Sequence, residues 1–314
     1  MTVSFPDLDM LIEEVEVRRV DRLSPTFVRF ELGCPAFAEL GNDDTAFFDQ
    51  RIELVFPHED GPVPSFEGAD ESWWDSWLKR PVEERGHMRT YTVRDVVGSG
   101  EDTRMVIDIV LHDDHGDGQA GPGSIWASRA EVGDRLVAMA PRRGYAYGGI
   151  EFAPGAAGRV MLVGDETALP AIAGILRDMP SDAVGAALVE VPLAEDVQEL
   201  SGPAGVEVVW LPRDGAPLGS LVHPAAVERL GASPAPVVIG DDEVDPDLWE
   251  TPAFSSSGEQ VQAESAHTDD LYVWIAGESK VVTGLRRVLV KDLGLDRRQV
   301  AFMGYWRVGV SMAS

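Results

Sequence analysis

The sequence holds a single cysteine, Cys34, in 314 residues. An internal disulfide, a CxxC redox pair and a cysteine-held iron–sulfur cluster are therefore excluded, and any redox chemistry rests on an organic cofactor or on a metal with nitrogen and oxygen ligands. Positive charge is scarce too. Lys and Arg number 26 against 54 Asp and Glu, a formal charge of −28. Such a field repels phosphate backbones and anionic lipid, so no nucleic-acid partner is expected. No stretch approaches the ~18 apolar residues of a membrane span. The opening MTVSFPDLDMLIEEVEV has neither the basic nor the apolar region of a secretory signal. The expectation is a cytoplasmic chain with no integral membrane segment. Hydrophobic residues make up 44%, as in ordinary globular proteins, and the length predicts about two domains.

What is present falls into two textures. Residues 13–31 alternate apolar and polar positions around Ser24-Pro25, the pattern of a half-buried antiparallel hairpin. Short strand signals follow at 48–56, 88–94, 105–111 and 134–139, separated by Gly, Pro and Asp clusters. Regular short strands of this kind predict a small β-barrel or sandwich. After the small-residue stretch Ala153–Gly158 the pattern becomes apolar run, turn, helix, beginning with RVMLVGDETALPAIAGILRDMP. AVGAALVEVP, GVEVVWLPRD and LYVWIAGES are further continuous apolar runs, as in a parallel sheet buried on both faces. The expected boundaries are 1–152 for an antiparallel β-barrel domain and 153–314 for a parallel-sheet α/β domain.

Charge is unevenly spread. Residues 241–270 hold ten acids and no Lys or Arg, the mark of a loosely packed insertion. Between Lys280 and Arg307 seven basic residues face only Asp292 and Asp296, which invites an anionic ligand, although Arg286 and Arg287 also suit the wet side of a helix. The run from Gly116 to Gly121 satisfies GxGxxG, but it lies among short alternating strands, away from the βα texture that a dinucleotide fingerprint requires. What survives is Gly121-Pro-Gly-Ser124 opening a helix, where backbone N–H groups and a hydroxyl can receive a phosphate. Arg89-Thr-Tyr-Thr92 reads as a strand, with Arg89 and Tyr91 on one face. A guanidinium suits a pyrophosphate and a phenol ring suits a sugar or heterocycle. His112 and His115 diverge on a strand end without a third ligand, so no metal site is expected. Trp73, Trp74 and Trp77 read as a packed lid in an acidic loop.

Taken together, RTYTVR (89–94), LHDDHGDG (111–118), GPGSIWA (121–127), GDETALPAI (164–172), VEVPLAEDVQEL (189–200), WLPRDGAPLGS (210–220), VWIAGES (273–279) and GYWRVG (304–309) occur in an informative order. In these segments the chain resembles the siderophore-interacting protein family of flavin-dependent ferric-siderophore reductases, within the ferredoxin-reductase-like superfamily. The resemblance implies an FAD-binding β-barrel followed by a nicotinamide-binding α/β domain. It implies that Arg89, Tyr91, Thr92 and Val93 hold the flavin, with Thr92 near its ring. His112 would line the ribityl or pyrophosphate path, and Gly121, Pro122, Gly123 and Ser124 would take the phosphates. The family commonly has Ala where Gly123 stands. Gly164, Asp165, Glu166, Thr167, Ala168, Gly277 and Glu278 fall where NADPH or NADH would lie. Trp306 falls where an aromatic would cover the flavin. The basic run itself, apart from the resemblance, offers Lys280 or Arg298 for the extra phosphate of NADPH, and Lys280 and Arg307 for an anionic ferric siderophore. No side-chain nucleophile is implied, because the flavin carries the chemistry. The alternatives are a flavoprotein reductase with a protein partner such as ferredoxin, a non-catalytic flavin or siderophore binder, and an interaction protein that has kept the motifs without the cofactor.

Overall fold

The computed structural model describes residues 8–42, 46–58, 61–66, 69–70, 72–111, 120–233, 249–251, 254–255 and 270–309. The chain divides into two compact units, Met1–Ile150 and Glu151–Ala313.

In the first unit the strands are β1 (Met10–Arg22), β2 (Phe27–Gly33), β3 (Arg51–Phe56), β4 (His87–Thr92), β5 (Asp95–Val97), β6 (Arg104–Val110) and β7 (Arg135–Pro141). The helices are α1 (Trp73–Leu78), α2 (Val82–Arg85) and α3 (Pro122–Arg129). β1 and β2 form the expected hairpin, with Arg22 opposite Val28 and the Ser24 hydroxyl accepting from the Thr26 and Phe27 amides. The strand order is β4-β3-β7-β1-β2-β6-β5, antiparallel throughout. The two outermost strands are consecutive in the chain. The Val93 amide donates to the Gln50 carbonyl next to β3, and the Arg94 amide donates to Val106 on β6, each at 2.9 Å. Residues 87–97 are thus one bent strand that belongs to both ends of the sheet, and the sheet closes into a barrel.

Period-2 alternation sends one set of side chains inward. Leu11, Val15 and Val17 of β1 join Phe30, Leu54, Phe56, Ile107 and Leu136 in the interior. The opposite set, Ile12, Val55, Met88 and Met139, is covered from outside by Phe66 and Trp77. The three tryptophans form the short helix α1 on this outer barrel face. Trp77 is buried, while Trp74 stacks on it at 5.3 Å and stays partly exposed. α3 is anchored by Trp126, whose ring lies 5.2 Å from both Phe30 and Phe56.

The second unit contains β8 (Arg159–Gly164), α4 (Leu169–Asp178), β9 (Val184–Val191), β10 (Gly205–Pro212), α5 (Val222–Arg229), β11 (Trp249–Thr251), β12 (Phe254–Ser255), β13 (Leu271–Glu278), α6 (Ser279–Arg287) and β14 (Val300–Trp306). The apolar runs pair in parallel in the order β10-β9-β8-β13-β14, and β11-β12 adds an antiparallel edge. β9 and β10 lie to one side of β8, whereas β13 and β14 lie to the other. The chain therefore reverses direction across the sheet between β8 and β13, and the crevice at the carboxyl ends of such a pair is where open α/β sheets hold ligands. Most of the acidic stretch 241–270 lies outside the described residues.

Candidate functional site

Two sets of residues stand out, one in each unit. In the barrel, β4 runs beside the start of α3. Tyr91 meets Phe56 edge-on at 5.8 Å, and the helix begins so close to it that a Cβ on Gly123 would overlap the Tyr91 hydroxyl. Burial pushes the Tyr91 phenol well above its ordinary pKa, with the Arg89 guanidinium opposing. Arg89 is half-buried, donates to the Met88 carbonyl at 2.6 Å, and has its pKa lowered by burial. Thr92 is buried where the strand bends, and Val93 is fully buried in the interior.

The N-terminus of α3 has extended backbone at Gly121, a proline in its first turn and no side-chain cap. Nothing would lie within 4 Å of a Cβ on Gly121. A helix start open on the Gly121 side, beside the strand that carries half-buried Arg89 and Tyr91, suits a phosphate-bearing aromatic ligand. This donor set fits FAD: backbone amides and Arg89 for the pyrophosphate, and ring faces for the heterocycle. His112 lies outside the described residues, as does His115.

The second set sits at the switch point. The Asp165 carboxylate, at the end of β8, accepts from the Thr167 amide and hydroxyl at 2.9 and 2.6 Å through Oδ1. Through Oδ2 it accepts from the Glu278 amide at 2.7 Å and the Trp306 indole at 2.9 Å. One side chain thus ties together the carboxyl ends of β8, β13 and β14. Gly277 makes the approach possible, since its φ of 142° disfavours a side chain and its Cβ would stand 2.5 Å from Asp165. Glu278 caps α6 by accepting from the Lys280 and Val281 amides at 2.7 and 3.0 Å, and the Ser279 hydroxyl donates to the Trp306 carbonyl.

Glu166 is bound bidentately by Arg213, at 2.9 and 3.0 Å. Burial, together with the neighbouring Asp165 carboxylate, outweighs that guanidinium and pushes Glu166 up to about 7. Glu190, at the end of β9, accepts from Arg213 at 3.3 Å and from the Gly219, Leu221 and Val222 amides that open α5. Asp165, Glu166, Glu190 and Glu278 are 4, 3, 0 and 3% exposed. With the apolar side chains beneath them, Asp165, Glu190 and Glu278 leave space for no more than about one water.

The structure therefore brings Gly164, Asp165, Gly277, Glu278 and Trp306 together at adjacent strand ends, with Thr167 hydrogen-bonded to Asp165 and Ala168 at the N-cap of α4. Lys280 opens α6, and Arg307 follows β14. Arg298 is exposed and paired with Asp296, which caps the turn ahead of β14. Arg286, a candidate for the wet side of its helix, lies 4.4 Å over the Phe302 ring. Sequence reasoning assigned no role to Arg213 or Glu190. The available signal was Glu190 itself, a charged residue inside the apolar run VGAALVEV.

A closed antiparallel barrel followed by a parallel α/β unit with this strand order is the ferredoxin-reductase-like architecture. Residues 16–145 match the model of the siderophore-interacting FAD-binding domain, and residues 157–309 match that of the siderophore-interacting protein. The chain belongs to the siderophore-interacting protein family. It is 28% identical to the ferric vibriobactin reductase ViuB of Vibrio cholerae, over 82% of this chain and 77% of that one. It is 26% identical to the NADPH-dependent ferric-chelate reductase of Escherichia coli, over 95% and 94%. The crystal structure of a siderophore utilization protein from T. fusca superposes with a TM-score of 0.66 at 29% identity, covering 100% of this chain and 98% of that chain.

Proposed function

We propose that this chain is an FAD-dependent ferric-siderophore reductase of the cytoplasm, fed by NADPH or NADH. The observation that carries the reading is the start of α3, open at Gly121 and packed against Tyr91 of the strand that also carries Arg89, in a chain of a family with an FAD-binding domain. FAD, when bound, accepts a two-electron hydride and releases electrons singly, so one donor molecule serves two Fe(III) centres.

The chain's own residues bind and orient. Arg89 and the amides of Gly121–Ser124 hold the pyrophosphate, with His112 and Pro122 alongside. Tyr91, Thr92 and Val93 would hold the flavin ring, which supplies the hydride and electron chemistry. The turn Gly164–Ala168, with Gly277 and Glu278, would receive the nicotinamide donor, and Trp306 would be the aromatic that covers the flavin. Lys280 and Arg307 attract the anionic ferric siderophore. Among the described residues no helix is long and apolar enough to cross a membrane. A second reading, a protein donor such as ferredoxin, is favoured by the four buried carboxylates where a donor's phosphates would approach.

The test is the visible spectrum of the purified protein before and after anaerobic addition of NADH or NADPH, followed by a ferric siderophore and an Fe(II) trap. Bleaching of the flavin and its reoxidation with stoichiometric Fe(II) is the expected result. Release of FMN on denaturation, or no flavin after reconstitution, refutes it.

A further inference from the structure

The carboxyl ends of the parallel sheet are unusually acidic for a place that receives phosphates. One cation turned toward them is Arg213, just past β10, and it is already engaged. Its two Nη atoms take both oxygens of Glu166, and Nη1 also reaches Glu190. The two acids differ in their commitments. Glu190 is held by three backbone amides at the start of α5 and stays in place with or without Arg213. Glu166 stands in the turn between β8 and α4, where an α/β sheet offers backbone to a dinucleotide, and the arginine occupies both of its oxygens.

We infer that Glu166 is an internal counter-ion that competes with a phosphate of the nicotinamide donor for Arg213, and so sets the donor's affinity. The inference rests on the proposed function in taking a nicotinamide dinucleotide as donor. A guanidinium suits carboxylate and phosphate with the same two-pronged geometry, so exchange of one for the other needs no new donor. The phosphate is either the pyrophosphate shared by both dinucleotides or the 2′-phosphate that only NADP(H) carries. The charged groups facing Glu166 are Asp165 in its own turn, Arg213 after β10 and, through Arg213, Glu190 of β9. The elevated pKa of Glu166 agrees with a carboxylate that gives up its charge easily.

The experiment is calorimetric titration of the FAD-loaded full-length protein with NADP+ and with NAD+, for the parent and Glu166→Gln at pH 8. Tightening by about tenfold, the effect of one partly screened buried charge, is expected. Equal tightening for both ligands assigns the pyrophosphate, and tightening for NADP+ alone assigns the 2′-phosphate. Affinities that are unchanged or weaker overturn the inference, as does a gain that persists when Arg213→Met is added to Glu166→Gln. Should Glu166→Gln fail to fold, the parent titrated with NAD+ from pH 8.5 to 6 serves instead. Its affinity should rise as Glu166 takes up its proton, and a flat profile is the contrary result. Unchanged dinucleotide affinity in Glu166→Gln, while the parent reduces a ferric siderophore with a nicotinamide donor, sinks only this inference, whereas absence of nicotinamide-driven turnover in the parent sinks the functional reading.

Discussion

Glu13 points into the barrel interior from β1, in step with Leu11 and Val15, and is 2% exposed. One of its oxygens has no hydrogen-bond partner. Burial pushes its carboxyl up to about 7, Arg142 opposing and Glu39 adding to the rise. Its ordinary value is 4.5, so the folded state holds the proton more tightly than the unfolded state does. The sign follows: stability from this group is fully present below about pH 4.5 and is lost as pH rises toward 7. At 1.36 kcal/mol per pH unit the loss approaches ~3 kcal/mol by pH 8. Glu13→Gln removes the titration while keeping the shape. It should melt within a degree or two of the parent at pH 4.5. At pH 8 it should melt higher by roughly 5–10 °C, for a unit of about 150 residues. The difference between the two proteins is the quantity to plot, because Glu166 titrates in the same range and cancels. Apoprotein melts followed by near-ultraviolet dichroism at half-unit pH steps provide it. An offset that does not grow with pH refutes the argument, whatever its size.

Arg89→Ala should weaken FAD binding by a hundredfold or more while the cofactor-free melting temperature stays close to the parent's, since a half-buried strand arginine contributes little to the fold. Comparing FAD titration with the apoprotein melt checks both halves. Gly123→Ala, which drives a methyl group into the Tyr91 hydroxyl, should cost about 1–3 kcal/mol and disturb the visible dichroism of bound flavin. Tyr91→Phe in the same chain should restore much of it by removing the obstructing atom. Trp306→Ala takes one donor from Asp165 and, on the proposed reading, should speed anaerobic flavin reduction by NADPH several-fold. Unchanged rates in stopped flow would reduce Trp306 to a packing residue.

The strands were readable because half-buried and fully buried strands write different periods into the sequence. Phe27–Gly33 alternates and Val160–Val163 does not, and the barrel and the parallel sheet follow from that contrast. The strand signal at 88–94 ends two residues early as a strand, at Thr92, because Val93 and Arg94 bond to different neighbours. Closure is a long-range event, with Arg94 meeting Val106, and local pattern carries no trace of it. The same limit explains the site. Arg89, Tyr91 and the Gly121–Ser124 turn stood out by residue type and order. The Glu166–Arg213–Glu190 group joins the ends of three strands, and only the fold brings residues 166, 190 and 213 within one hydrogen-bond length.

The bent strand 87–97 has a further meaning. Barrels dispose of their edges by joining them, and here the join passes through the segment that carries Arg89, Tyr91 and Thr92. A chain whose seam has not yet shut holds these groups at the fringe of an open sheet, with nothing to fix their distance from α3. Uptake of the cofactor therefore reports that the ring is complete. Through mass action, each tenfold excess of cofactor over its dissociation constant adds about 1.4 kcal/mol against reopening. The supply of flavin then governs how long a newly closed barrel stays closed.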